Sequence, residues 1–493
     1  MADTLAHSSP KTAVVTGGAG FIGSHLCEAL RANGYSVISL DNYFAGSELN
    51  HIDGVTYRRG HTKDIVSHVP EHPDIIFHLG EYARVEQSVL EPDIVEDLNT
   101  VGTRGVIDFW RQKKCKLVYA GSSTKFGDDG AARFASPYAR TKADNSERIK
   151  RVGDAEKLSY AITYFYNVYG PRERAGVYGT VIEQFKRMYV SGAPCAVVRP
   201  GTQQRNFTHV SDIVDALMLV GEKGEGDEFG LGNLKAYSIF DIATLFGFGG
   251  DVVLFPERTG NRMTTSLDTT NINALGWIAR RELTAYIEDF KKSHQRGVKR
   301  DNRVLVYSTT MHPVAGLAEE SFAELAREVP DVAFDVVTAR FTRAQLPVVP
   351  ARNMTIYRLG FGARIDKFLL PFVGAVMGMR LYAQRRYLFT WSLMASYAAL
   401  AALFVKFITR SPILITLADQ NLDDLSALQR TVLRILVSRA DQVYGTHTAQ
   451  ESQVVRVAGS ALPRNSVGQG DAFANALRFA YADIVRRRLQ HTP

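Results

Sequence analysis

Short β-branched runs alternate with stretches of helical period along the first part of the chain. Residues 12–16, 36–40, 74–79 and 116–119 read as strands, and apolar positions recur at helical spacing over 24–33 and 93–112. Strand–helix alternation predicts a parallel sheet covered on both faces, an α/β fold. A mixed region follows to about residue 297. The segment 294–302 (HQRGVKRDN) is polar, basic and carries a glycine, and predicts a linker. Alternation then restarts, with strands at 303–308, 333–339, 413–417 and 442–445 and a helix over 318–328. The pattern therefore predicts two domains, 1–297 and 298–493, each built on a parallel sheet. The uncharged run 387–405 is long enough to span a bilayer. Eight of its 19 residues are Ala, Ser or Thr, and it predicts a buried strand followed by a core helix.

Composition narrows the class. Of 493 residues, 45% are hydrophobic and 22% charged, which excludes a disordered, collagen-like or polytopic membrane chain. Three cysteines, Cys27, Cys115 and Cys195, have no C-x-x-C spacing, so neither a disulfide framework nor a metal site is expected. The opening MADTLAHSSPK has no apolar core; no signal peptide is expected and a cytoplasmic setting fits. Charge is uneven. Residues 1–297 hold 34 Lys+Arg against 36 Asp+Glu, and residues 298–493 hold 24 against 15, with 21 of those 24 being Arg. Such an excess is either a solvated surface or the footprint of an anionic partner such as a membrane, with the protein peripheral to it. No zinc-finger, RNP or basic-zipper pattern points to nucleic acid.

Chemistry enters at Gly17-x-x-Gly20-x-x-Gly23, which follows the first strand and opens a helix. Glycines let backbone approach a pyrophosphate at a helix N-terminus. Asp41 ends the next strand, where a carboxylate accepts from ribose hydroxyls and repels a 2′-phosphate. NAD is favoured over NADP. Farther on, Tyr138 and Lys142 are four apart in a helix-compatible segment, which puts them on one face. A phenol titrates near ~10, too high for a base at neutral pH, and a neighbouring ammonium favours phenolate.

The wording TGGAGFIGSHL, with Asn99 in NTVGT, Tyr138-x-x-x-Lys142, Asn167 in FYNVYGPR and RNFTHVSDIVDAL from Arg205, closely resembles extended short-chain dehydrogenases/reductases over residues 11–297. Within that family the chain looks like the UDP-glucose 4-epimerase group. The resemblance implies an NAD-binding Rossmann sheet with a small substrate subdomain, a nucleotide-sugar substrate with UDP-hexose favoured, and a homodimer. It assigns Phe21, Ile22, Asn42, Gly80 and Asn99 to the cofactor beside Gly17, Gly20, Gly23 and Asp41. It assigns Asn167, Arg205 and Arg258 to the nucleotide, where guanidinium forks match diphosphate. In the family, the strand before the catalytic Tyr ends in a Ser or Thr five residues ahead of a Gly. Counting back from Gly127 gives Ser122, with Ser123 as the alternative, both toward substrate.

Related dehydratases carry an Asp-Glu pair after that position, and related decarboxylases a Glu. This chain has Ser123 and Thr124, which disfavours elimination and decarboxylation. Two departures stand out. His61 replaces an Asp expected near adenine, and Lys125 precedes Phe126 where Val-Tyr is usual; Lys125 is expected to point to solvent.

Residues 303–493 resemble the N-terminal Rossmann domain of a two-domain, family 4-like glycosyltransferase, through VLVYSTT, Gly316 and RADQVYGTHTAQES. That resemblance implies a half-domain that docks an acceptor or partner chain and does not itself transfer sugar. Glu320 and Glu328 have the eight-residue spacing of the family's donor-site pair, yet they fall on the first helix and are expected to be one exposed face. The GQGDAF segment is read as a helix start capped by Asp471.

Overall fold

The computed structural model describes residues 10–89, 91–126, 134, 136–174, 179–256, 266–297, 301–311, 316–417, 427–445 and 477. Contacts gather the chain into two compact units. The first comprises 1–183, 202–242 and 259–289; the second comprises 184–201, 243–258 and 290–493. The sequence division expected at 297 follows the motifs. In space, three segments that precede it cluster with the second unit.

The first unit is built on a seven-stranded parallel sheet. Its strands are β1 (Thr12–Thr16), β2 (Ser36–Asp41), β3 (Thr56–Arg59), β4 (Ile75–His78), β5 (Lys116–Ser122) and β6 (Tyr160–Phe165), with Gly226–Leu231 as an edge strand. In space they run Gly226–Leu231, β6, β5, β4, β1, β2, β3. Winding thus reverses between β1 and β4, where parallel sheets open a crevice at the carboxyl ends of the strands. The period of two in β1 builds both layers of core. Ala13 and Val15 pack with Val37, Ile75, Phe77 and the helix residues Leu26, Leu30 and Leu217. Val14, pointing the other way, packs with Ile38, Ile76, Leu117, Trp110 and Ile149.

The helix expected over 93–112 is one axis in three pieces: Pro92–Val95, a π turn at Glu96–Val101, and Gly102–Lys113. The edge strand is tied in by Lys125, which corrects its expected solvent position. Its ammonium donates to the Tyr164 hydroxyl at 3.0 Å and the Asp227 carboxylate at 3.2 Å, and its side chain is 18% exposed.

The second unit holds another seven-stranded sheet. Its spatial order is Val348–Ala351, Met354–Leu359, Ala333–Ala339, Arg303–Tyr307, Thr390–Ser392, Ile413–Leu417, Gln442–Gly445. All neighbours are parallel except the first two, an antiparallel hairpin. Winding reverses here too, beside Arg303–Tyr307. The helix Leu317–Glu328 follows that strand, with Glu320 and Glu328 exposed as expected. Its buried Glu319 accepts from the Ser308 hydroxyl (2.6 Å), the Thr310 hydroxyl (2.7 Å) and the Gly316 N–H (2.9 Å). The run 387–405 divides into the buried strand Thr390–Ser392 and part of the helix Tyr397–Thr409. Among the described residues no helix is long and apolar enough to cross a membrane. The three cysteines are free and buried. Asp471 lies outside the described residues.

Candidate active site

The loop after β1 is shaped by contacts only glycine permits. Gly17 has φ +74°, and a Cβ there would stand 2.9 Å from Gly80 Cα, just past β4. A Cβ on Gly23 would stand 2.1 Å from the Gly17 carbonyl oxygen. The loop therefore closes on itself and on Gly80, and α1 (Phe21–Ala32) starts at the rim of the crevice. No side chain caps its first turn, and Gly20, Phe21, Ile22 and Gly23 line an open cleft. A helix start of this kind offers N–H donors and a positive dipole end to an anion.

Asp41 and Asn42 line the same cleft at the end of β2. Asp41 is 6% exposed. Its oxygens accept from Ala19 N–H at 3.0 Å and Tyr43 N–H at 2.7 Å. Burial pushes its carboxyl upward in pKa, and the two N–H donors oppose that. Gly60 and Thr62 also line the cleft. Between them, His61 takes the Lys63 N–H on Nδ1 (3.0 Å), so Nε2 carries the proton toward Asp97 at 3.2 Å.

The reactive end of the cleft is assembled by β5 and the helix Pro137–Glu156. Pro137 occupies the first turn, and the Ser136 hydroxyl accepts from Ala139 N–H at 3.1 Å, a helix start that fixes Tyr138 and Lys142 one turn apart. The Tyr138 hydroxyl donates to Ser122 Oγ at 3.1 Å. Thr124 Oγ1 donates to the same oxygen at 3.0 Å. Ser122, Tyr138 and Lys142 line the cleft; Ser123 is buried beside them without lining it.

Lys142 is where the structure adds a residue that the sequence reading passed over. Its ammonium donates to the Ala120 carbonyl at 2.6 Å and forms an ion pair with Glu81. The Glu81 side chain is 1% exposed. One of its oxygens accepts from Thr103 Oγ1 (2.8 Å), Asn145 Nδ2 (2.8 Å) and Tyr119 OH (3.1 Å). Burial would raise its pKa, but the Lys142 charge and these donors outweigh that and hold it below the ordinary carboxylate range. The network continues inward. Thr103 spends its proton on Glu81, so it must accept from His78 Nε2 (2.9 Å), and His78 Nδ1 accepts from Thr16 Oγ1 (2.7 Å). His78 is neutral, with burial holding its pKa down to about 4. The only sequence signal for Glu81 was its place directly after Gly80 at a strand end.

Other expected residues lie elsewhere. Asn99 is buried in the π turn, where its side chain accepts from Tyr82 N–H at 2.6 Å and donates to Thr141 Oγ1 at 3.0 Å. It braces a cleft wall and does not line the cleft. Asn167 donates to the Asn206 carbonyl at 2.9 Å, and Arg205 to the Gln204 carbonyl at 2.8 Å; neither lines the cleft. Arg258 lies outside the described residues. Arg84 and Arg174, which the sequence reading did not single out, do line the cleft.

Comparison with known proteins agrees with this geometry. The family described as NAD dependent epimerase/dehydratase matches residues 13–232. A Methanocaldococcus jannaschii protein, provisionally named UDP-glucose 4-epimerase, is 30% identical over 284 residues, covering 54% of this chain and 92% of its own. UDP-glucuronic acid decarboxylase 1 of Xenopus tropicalis is 27% identical over 302 residues, 55% of this chain and 69% of its own. Among solved structures, the UDP-glucose 4-epimerase of Thermus thermophilus, determined as a complex with NAD, superposes with a TM-score of 0.53 at 26% identity, covering 57% of this chain and 99% of its own. The glycine loop, the Tyr138–Ser122 contact and these matches converge: through its first unit, the chain belongs to the NAD dependent epimerase/dehydratase family.

Proposed function

We propose that the first unit is an NAD-dependent nucleotide-sugar 4-epimerase, with a UDP-hexose as substrate. The observation that carries this reading is the Tyr138–Ser122–Lys142 cluster at the cleft, followed by Ser123 and Thr124 without a carboxylate. Dehydration and decarboxylation need a further acid or base near the sugar. The cleft is lined by two carboxylates among the described residues, Asp41 and Glu81. Asp41 is bonded to the glycine loop, and Glu81 is held ionised by Lys142 and three neutral donors, so neither is placed to trade protons with a sugar.

The residues present fit NAD. A Cβ would fill the cradle at Gly17 and Gly23, the first turn of α1 lacks a side-chain cap, and Asp41 suits ribose hydroxyls. Bound there, NAD supplies a hydride acceptor that can return the hydride to the same carbon. The protein's part is proton handling. As a phenolate, Tyr138 takes the proton of the sugar 4-hydroxyl as that carbon is oxidised, and gives it back on reduction. Ser122 Oγ, 3.1 Å from the Tyr138 hydroxyl, holds the reacting oxygen in line. Lys142 has three N–H donors and uses two on Ala120 and Glu81, which leaves one for a ribose hydroxyl. Arg84 and Arg174 in the cleft wall suit the diphosphate.

A panel of UDP-sugars incubated with the protein, with products resolved chromatographically, tests the reading. A 4-epimer is expected. A 4-keto-6-deoxy sugar or carbon dioxide as main product moves the assignment to the dehydratase or decarboxylase branch. For the second unit, the reading is an accessory domain that docks a partner, either a glycosyltransferase chain or an anionic surface.

A further inference from the structure

The second unit has an apolar surface that its own core leaves uncovered. Helices Asp366–Gln384 and Tyr397–Thr409 pack side by side, with Gly374 and Gly378 forming the seam. A Cβ on Gly374 would stand 3.2 Å from Ala401 Cβ, and one on Gly378 2.8 Å from Val405 Cγ2, so the helices run parallel. Their buried faces are spent on this seam and on the sheet. Each nonetheless carries a second apolar stripe. Phe368, Phe372 and Val376 follow one another at four-residue steps; Tyr397, Phe404, Phe407 and Ile408 line the neighbouring helix. All seven are 41–81% exposed. Phe368 and Tyr397 meet edge-on at 5.1 Å and join the stripes. At about 200 Å² per ring, the four phenylalanines alone leave roughly 500 Å² in water. That already matches the roughly 300–600 Å² of the largest apolar patch on a typical monomer.

Among the described residues, the exposed charges on these two helices and at their ends are all positive. Arg364, Arg380 and Arg410 are exposed at its ends, and the Lys367 ammonium lies 4.9 Å from the Phe368 ring. The one acidic residue of the two helices, Asp366, is fully buried, its carboxylate accepting from the Gly362 and Ala363 N–H groups. Aromatic and aliphatic side chains rimmed by cations, with no exposed acid on either helix, suit the boundary between acyl chains and anionic headgroups. Self-pairing fits less well. A two-fold contact lays a patch on its own copy, so one positive rim would meet another.

We propose that this two-helix face docks the chain on an anionic lipid surface, the phenylalanines entering the acyl boundary and the arginines meeting headgroups. The proposal rests on the second unit being a docking domain and is independent of which sugar reaction the cleft performs. Co-sedimentation of the full chain with phosphatidylcholine vesicles, with and without a third phosphatidylglycerol, tests it. Binding is expected to the anionic vesicles and to fall steeply in high salt. Phe372→Asp/Phe407→Asp should lower it about tenfold or more, and Arg364→Gln/Arg380→Gln/Arg410→Gln several-fold, with sugar turnover unchanged in both. Absence of binding to anionic vesicles, or binding indifferent to both variants, overturns the proposal. So does a wild-type dimer in light scattering that becomes a monomer in the phenylalanine variant, which would give the face to self-association. Loss of sugar turnover in both variants would instead overturn the docking-domain reading beneath it.

Discussion

At the residue scale the chemistry rests on a few atoms. Tyr138→Phe keeps the ring and removes the proton acceptor; turnover should fall by about 10²–10⁴ while nucleotide-sugar binding, measured calorimetrically, persists. Turnover near the wild-type rate would remove Tyr138 from the proposed mechanism. Asp41→Arg replaces a ribose acceptor with a cation and should weaken NAD and favour NADP, read by fluorescence titration of both. Glu81 is the residue whose role the structure changes most. Glu81→Gln leaves the buried Lys142 ammonium without its counter-charge, and urea unfolding should show a loss of about 3 kcal/mol. Pairing it with Lys142→Met should restore part of that loss, because the unpaired charge is gone; strictly additive losses would deny the coupling. A glutamate after a glycine at a strand end reads from sequence as a solvated loop carboxylate. What makes it a buried ion partner is the reach of Lys142, 61 positions later, and that lies in the packing of β4, β5 and the Tyr138 helix. Lys125 was misread for the same reason, its partners Tyr164 and Asp227 being remote in sequence.

At the scale of elements, local pattern carried much of the fold. The strands Thr12–Thr16, Ala333–Ala339 and Ile413–Leu417 lie where their β-branched runs put them, since each is an interior strand covered on both faces and most of its side chains are apolar; Gln442–Gly445, at the sheet edge, also lies where expected. The π turn at Glu96–Val101 was hidden inside a pattern of continuous helical period. One extra residue per turn barely disturbs that pattern, yet it places Asn99 behind Tyr82, and the Asn99 carbonyl accepts from Asn145 Nδ2 at 2.9 Å. The glycine loop was legible because its spacing encodes a close approach. Gly23→Ala tests that approach directly. A methyl 2.1 Å from the Gly17 carbonyl cannot be accommodated without moving backbone, so NAD binding should be lost and the melting temperature lowered.

On the scale of the whole molecule, pH and charge become the variables. His78 is fully buried, and burial lowers its pKa to about 4. A histidine exposed on unfolding takes up a proton near pH ~6.5. The unfolded chain therefore binds the extra proton first. Stability is full above pH ~6.5 and is lost progressively as pH falls toward about 4, by roughly 3 kcal/mol from this group. His209, also lowered to about 4 chiefly by burial, adds in the same direction. Urea midpoints across that window should slope downward with acid, and His78→Gln should flatten the slope; an unchanged slope would remove His78 as the cause. The second sheet offers a different lesson through Glu319. A crevice at a reversal of winding, beside the start of a helix, is the usual berth for a phosphate. Here Glu319 has turned back on its own helix start and taken the Gly316 N–H together with the hydroxyls of Ser308 and Thr310. The berth is filled by an anion that belongs to the chain. Although two winding reversals give the molecule two places where a dinucleotide could be sought, equilibrium dialysis should find one equivalent of NAD per chain, and Glu319→Gln should leave that number at one.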